Sequence, residues 1–148
     1  MNNSVSVKVK RTDVQRGGLD DTSPKVRAGV RSGLDAIGLL LLNSSKRKIQ
    51  RGSKTGRIYR KYNPKRTHQA SAPGESPATD TGGLVSSGFH EIETGGLIVN
   101  IGFAKLYAAM LEFGTRRMRP RPFMKPALDE NRSRLSKILG KFIREELK

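Results

Sequence analysis

Hydrophobic and polar residues alternate near the start of the chain, and the pattern then changes to helical spacing. Residues 4–10 alternate valine with serine or lysine, a period of two that predicts a half-buried strand. Apolar residues next recur at steps of four and three, at Val26, Val30, Leu34, Ile37 and Leu41. This spacing indicates one face of a helix, which we place over residues 23–51. Ser23 suits the capping position of that helix, and Pro24 suits its first helical position.

The middle of the chain contains shorter elements and a long connection. Residues 57–60 predict a short strand with outward-facing basic side chains. Residues 63–81 are rich in proline, glycine, serine, alanine and threonine, which predicts a long irregular loop. Residues 81–87 predict a short helical turn or a loop. Alternating segments on either side of a Gly-Gly pair predict a hairpin over residues 89–102.

Two further helices are predicted towards the C-terminus. Residues 104–113 have helical spacing, with Leu106, Met110 and Phe113 on one side, and Phe113 is expected to be a core anchor. Gly114 occupies a position where a helix end favours a positive φ. A last helix, from residue 123 or 125 to the C-terminus, carries an apolar stripe of Leu128, Leu135, Ile138, Leu139, Phe142 and Leu147.

This order of elements predicts an α+β fold. An antiparallel sheet is expected to pack against a long N-terminal helix and a long C-terminal helix, with a long mid-chain loop. A chain of 148 residues has room for one domain, which we place over residues 1–148.

Basic residues dominate the charge of the chain. The formal net charge is +16, and residues 46–68 hold ten basic residues and no acidic one. Such a block is either a solvated surface or a surface that attracts a polyanion such as nucleic acid, and the absence of acids favours the polyanion. The candidates to face DNA in this block are Arg47, Arg51, Lys54, Arg57, Arg60 and Lys61.

The sequence contains no recognisable catalytic, metal or cofactor motif. Cysteine is absent, and the two histidines, His68 and His90, lie far apart in the chain without a ligand at metal spacing. Glu91 and Glu93 are expected on a solvated strand face. We therefore expect no enzyme activity, no catalytic residue, no metal, no cofactor and no small-molecule substrate. No apolar stretch approaches the ~18–20 residues that span a bilayer, so no membrane partner is expected.

Tyr59 and Tyr62 alternate with basic residues in the strand predicted over residues 57–60 and just beyond it. This arrangement is typical of a surface on which bases stack, and it is equally typical of strand packing.

Three segments together resemble a known family of viral proteins. They are HQASAPGESPA at residues 68–78 leading into TGGL at 81–84, YAAMLEFGT at 107–115, and RPFMKPAL at 121–128. In this order they resemble the neck or tail-completion (head–tail joining) proteins of long-tailed bacteriophages. The resemblance covers roughly residues 68–128.

The resemblance implies a non-enzymatic ring subunit, commonly in a hexamer, at the junction of head and tail. It implies self-association, contacts with the tail tube or terminator and with the head connector or stopper, and DNA passing through the lumen without sequence-specific contact. It places the protein in the virion, and in the host cytoplasm during assembly. The residues that match the family motif, expected to serve fold or assembly, are Glu112, Phe113, Gly114, Thr115, Pro122, Phe123, Pro126, Ala127 and Leu128.

A ring would also need surfaces through which its subunits meet. The loop residues Ala72, Pro73, Gly74 and Glu75 pack no predicted core, so we expect this segment to reach a neighbouring subunit. The acidic residues Glu91, Glu93 and Glu112 are expected to face a basic block of the next subunit. The alternative is a stand-alone basic nucleic-acid-binding protein, whose monomer would bind DNA with a steep dependence on salt.

Overall fold

The computed structural model describes residues 5–10 and 23–148 of the chain. The elements in chain order are β1 (Val5–Lys10), α1 (Pro24–Arg51), β2 (Ile58–Tyr62), β3 (Lys65–Gln69), α2 (Gly83–Ser86), β4 (Gly88–Ile92), β5 (Ile98–Phe103), α3 (Tyr107–Phe113) and α4 (Met124–Glu146). Two long helices accompany two small antiparallel sheets, so the predicted α+β class is confirmed. None of the helices in the described residues is long and apolar enough to cross a bilayer.

The larger sheet has three antiparallel strands in the order β1-β5-β4. The central strand β5 pairs Phe103 with Val5 of β1 on one side and with Gly88 of β4 on the other. Val99, Ile101 and Phe103 alternate along β5 and are almost completely buried, as expected for a strand with one face against the core. The predicted hairpin is confirmed.

Helix α1 separates the sheet from α4 and packs against both. Gly38 lies against β4 and β5, where a Cβ would come within 2.9 Å of Val99 Cγ2. Gly29 lies against α4, where a Cβ would come within 2.8 Å of the Ile143 Cα atom. These glycines weaken the helix intrinsically, but they allow close packing on two sides.

The predicted boundaries of both long helices agree with the structure. Helix α1 begins at Pro24, and Ser23 occupies the capping position, but the Ser23 side chain makes no capping hydrogen bond, so that part of the prediction is wrong. The apolar stripe of α4 packs against the core up to Leu139. Leu147 lies beyond the end of α4 and is 53% exposed.

The largest difference from prediction is β3, which lies inside the segment predicted as irregular. β3 pairs antiparallel with β2, with Ile58 opposite Gln69 and Tyr62 opposite Lys65. The irregular segment therefore begins at Ala70 and not at Asn63. The sequence of β3, KRTHQ, has no apolar residue to alternate with polar ones. This fits its position, because eight of the ten strand residues of the hairpin are exposed and the other two, Lys61 and His68, are half-buried.

The contact between Gly29 and α4 yields a test. Gly29→Ala should lower the free energy of unfolding by about 1–3 kcal/mol, because the new methyl group meets backbone atoms that cannot move aside. Gly140→Ala, in α4, is the control, because a Cβ there meets only the flexible end of Arg144. It should be neutral or stabilise by up to about 1 kcal/mol. Chemical denaturation measures both, and equal effects of the two changes would contradict the packing argument.

Candidate functional site

The buried carboxylate of Glu112 caps the N-terminus of α4. Its Oε2 accepts hydrogen bonds from the backbone N–H groups of Phe123 (2.9 Å) and Met124 (3.0 Å), and its Oε1 accepts one from Lys125 (2.8 Å). The fourth residue of this helix start is Pro126, which has no N–H. All four N–H positions that a helix start leaves without an internal partner are therefore accounted for. The negative charge also suits the positive end of the helix dipole. Glu112 is 6% exposed, so the prediction that it faces a neighbouring subunit is wrong.

The three segments that carry the family resemblance meet around this cap. The backbone N–H of Arg121 donates to the Leu111 carbonyl (2.7 Å), and its Nε donates to the Ser71 carbonyl (3.2 Å). The N–H of Gly74 donates to the Pro120 carbonyl (2.9 Å). Segments 68–78, 107–115 and 121–128 therefore form one interlocked unit.

Most of the family-motif residues support this unit from within. Phe123 is fully buried and its ring meets that of Phe103 edge-on, with centroids 5.0 Å apart. Gly114 has a φ of 77°, the positive value predicted, and Thr115 closes a tight turn with Met118. Pro122 leads into α4 and is half-buried. Ala127 and Leu128 lie in the first two turns of that helix, the former buried and the latter half-buried.

One face of α3 is apolar and exposed. Leu106 is 65% exposed, Met110 50% and Phe113 74%, and Tyr107 beside them is 44% exposed. The prediction that Phe113 anchors the core is wrong. The helical spacing was identified correctly, but the side of α3 that faces inward carries Ala108, Leu111 and Glu112.

The α3 apolar face, made of Leu106, Tyr107, Met110 and Phe113, is flanked along the chain by basic residues. Lys105 precedes it, and Arg116, Arg117 and Arg119 follow it, all of them exposed. The one acidic residue of this segment, Glu112, points inward. Exposed basic residues therefore flank the apolar face on both sides along the chain.

The loop residues Ala72, Pro73, Gly74 and Glu75 are held against their own chain. The Glu75 carboxylate accepts hydrogen bonds from the Ala72 N–H (2.8 Å), the Thr55 N–H (3.0 Å) and the Thr55 hydroxyl (2.7 Å). These bonds, led by that of the Thr55 N–H, lower the pKa of Glu75. Pro73 and Gly74 remain exposed at the tip. Contact of this loop with a neighbouring subunit stays a prediction.

One face of the β2–β3 hairpin is held against Asp80. Lys61 and Arg66 both form ion pairs with its carboxylate, the latter at 2.9 Å, and His68 Nδ1 lies 3.9 Å away. The hydrogen bond from Lys61 is the largest of the interactions that lower the pKa of Asp80. Lys61, predicted to face DNA, is therefore engaged within the chain.

The opposite face of the hairpin points outward. It carries Ile58, Arg60 and Tyr62 of β2, with Tyr62 81% exposed. Tyr59 lies on the inner face, 46% exposed, with the Arg57 guanidinium carbon 5.5 Å from its ring centroid. The sequence allowed two interpretations of these tyrosines, base stacking and strand packing. Neither tyrosine packs against the main core, so strand packing is not supported.

The remaining residues predicted to face DNA lie on two separate surfaces. Arg57 and Arg60 are exposed on and beside the hairpin. Arg47 and Arg51 lie on the last turns of α1, in a cleft shared with α4. Lys54 lies in the connection between α1 and β2, where its ammonium donates to the Pro77 carbonyl (3.3 Å) and burial lowers its pKa.

The remaining acidic and histidine residues considered in the sequence analysis do not form a common cluster. Glu93 accepts a hydrogen bond from Asn100 (3.0 Å), and Glu91 is exposed on β4. His90 Nε2 lies 2.9 Å from Asp35 Oδ1.

A cavity of about 420 Å³ lies beside Asp80, His68, Tyr107 and Arg121. No group of three or more potential metal ligands occurs among the described residues.

Three features were missed by sequence reasoning. Glu112 and Phe123, the residue just before α4, are eleven positions apart, and no local spacing links them. Arg134 of α4 joins Arg47 and Arg51 only through helix packing. The ion pairs of Asp80 could have been predicted from the sequence, because Asp80 is one of the few acidic residues that follow the block of ten basic residues.

Comparisons with known proteins find no matching family model, no matching curated protein and no matching solved structure.

The Glu112 cap can be tested by a conservative substitution. Glu112→Gln should lower the free energy of unfolding by about 2 kcal/mol or more, because an amide loses the charge and places N–H groups against N–H groups. Glu91→Gln is the control and should change stability by no more than about 0.5 kcal/mol. Denaturant titration measures both. Unchanged stability of Glu112→Gln would show that the cap contributes little.

The Asp80 cluster predicts an effect of pH on the hairpin. The pKa of Asp80 is lowered in the folded protein, so its ion pairs stabilise the hairpin above the usual carboxyl pKa of about 4 and are lost as the pH falls below that value. NMR signals of β3 amides should therefore shift on acidification. In Asp80→Asn the shifted signals should already be present near neutral pH, whereas the control Asp129→Asn should behave as wild type. Wild-type β3 signals in Asp80→Asn would rule out this role.

Proposed function

We propose that this chain is a structural subunit of the bacteriophage head–tail junction. In this proposal copies assemble into a ring, commonly a hexamer, that joins the tail tube or terminator to the head connector or stopper. DNA passes through the lumen without sequence-specific contact. The protein is in the virion, and in the host cytoplasm during assembly, and it performs no catalysis.

The observation that carries this proposal is the exposed α3 apolar face. It lies within the segment YAAMLEFGT, one of the three that resemble the phage family. Single exposed apolar residues are ordinary, but four neighbours, three on one short helix and one just before it, are typical of an interaction surface. The Glu112 cap and the bond from Arg121 to Leu111 hold α3 rigidly, which lowers the entropic cost of docking.

The basic residues that flank the α3 apolar face along the chain favour a ring over a two-fold dimer. In a two-fold contact the same patch meets itself, so Arg116, Arg117 and Arg119 of both copies would be brought to one interface. Like charges placed opposite each other disfavour such a contact. A head-to-tail contact brings a different surface to this face, and it closes into a ring when the rotation between subunits allows.

The net charge of +16 favours assembly around a polyanion. Copies of so basic a chain repel one another, and packaged DNA in the lumen would offset that repulsion.

A second candidate is a stand-alone nucleic-acid-binding protein. The outer face of the hairpin favours it, because Tyr62 and Ile58 are exposed beside Arg60. An exposed aromatic ring next to a cation is suited to base stacking and phosphate contact.

Substitution of Phe113 tests the assembly proposal. Phe113→Asp should weaken self-association at least about tenfold without unfolding the chain, since burying a phenylalanine side chain contributes about 1.5–3 kcal/mol and this side chain is exposed in the subunit. Mass photometry and electron microscopy of the purified protein, with and without duplex DNA, measure the assembly.

Leu147→Asp is the control, because Leu147 is another exposed apolar residue and lies outside α3. It should assemble as wild type does. A wild-type protein that stays monomeric with DNA and is absent from virus particles would overturn the proposal. If that monomer still bound DNA, the second candidate would be favoured.

A further inference from the structure

A basic cleft lies between the last turns of α1 and the first half of α4. The two helices run antiparallel, with Gly29 near Ile143 at one end and Lys48 paired with Glu130 at the other. The cleft has a volume of about 590 Å³. Because it is built on two packed helices, its side chains start from a rigid backbone.

Three arginines line this α1–α4 basic cleft. Arg47 and Arg51 are one helical turn apart on α1, and Arg134 approaches from α4. All three are exposed, and none forms a hydrogen bond or ion pair with a side chain among the described residues. The one acid in the cleft, Glu130, is neutralised by Lys48. The cleft therefore has an excess of three positive charges.

The inner wall of the cleft is polar and fixed. Asn131 and Ser44 are each 6% exposed. The Asn131 side-chain amide donates to the Ser44 hydroxyl (3.2 Å) and to the Ala127 carbonyl (2.8 Å). Such a wall suits a hydrated, charged ligand better than an apolar one.

We infer that the α1–α4 basic cleft binds phosphate groups of the duplex DNA backbone, with Arg47, Arg51 and Arg134 as the contacting residues. A guanidinium group presents a planar pair of donors that matches two phosphate oxygens. Contacts of this kind position DNA without reading its sequence. The inference rests on the proposed function for the identity of the polymer, whereas the excess of charge in the cleft does not depend on it.

The experiment compares two triple variants of equal charge. Arg47→Gln, Arg51→Gln and Arg134→Gln together remove the cleft cations, and Arg132→Gln, Lys137→Gln and Arg144→Gln remove three exposed cations elsewhere on α4. Fluorescence anisotropy measures binding to a duplex of about 30 base pairs between about 50 and 200 mM salt.

The cleft variant should lose at least about tenfold in affinity, and its log–log salt slope should fall by about one for each arginine that contacts a phosphate. The control variant should lose much less affinity for DNA, and its salt slope should fall much less. Equal losses in the two variants, or no loss in the cleft variant, would overturn the inference, because DNA binding would then follow overall charge alone.

Two competitors distinguish the source of the anion. Inorganic phosphate at matched ionic strength should displace DNA only weakly, and polyglutamate of equal charge should compete less well than DNA. If inorganic phosphate saturates the cleft and the DNA slope is the same in both variants, the ligand is free phosphate and the inference fails. If polyglutamate competes as well as DNA, the cleft is a site for acidic proteins and the inference also fails.

Mass photometry of the same samples reports assembly separately. A cleft variant that assembles normally but loses DNA affinity supports the inference. A wild-type protein that assembles while its cleft contributes nothing to DNA binding contradicts the inference and leaves the proposed ring intact.

Discussion

The carboxylate of Glu112 is the interaction on which the rest of the structure depends. It joins α3 to the start of α4 by three hydrogen bonds, and it does so from a buried position. Because Glu112 points inward, the opposite side of α3 points outward with Phe113 and Met110 on it. The cap therefore determines both where α4 begins and which side chains α3 presents to solvent. One carboxylate links the stability of the subunit to the character of its surface.

The periodicity of apolar residues predicted most of the helices and strands. It failed at β3 and at Phe113, where the pattern of apolar residues does not match the pattern of buried ones. The bounds of α1 and α4 and the central hairpin were predicted because each buries a regular apolar face. β3 was missed because a hairpin exposed on both faces has no apolar alternation to detect. Phe113 was misplaced for the opposite reason, since an amphipathic pattern cannot distinguish a face that packs inside the subunit from one that packs against another molecule.

The candidate surfaces were harder to predict, because they depend on contacts between residues far apart in the chain. Arg47 and Arg51 were identified from their basic segment, but Arg134 enters their cleft only because α4 runs antiparallel to α1. Lys61 belongs to the same basic segment as Arg60, yet the strand turns its side chain to the other face, towards Asp80. Charge composition identifies the segment, and only the fold determines which of its cations remain available.

The use of the acids explains why so much positive charge stays available. Of the five acidic residues between 69 and 115, Glu75, Asp80 and Glu112 are engaged in holding the loop, the hairpin and α4. Acids that are committed inside the subunit cannot neutralise the cations of a neighbouring copy. Because each copy also carries a formal net charge of +16, a ring of such subunits would be opposed by electrostatic repulsion, which an anion from outside the subunits would offset. The proposed ring and the proposed phosphate cleft share this physical condition, because DNA in the lumen would satisfy both.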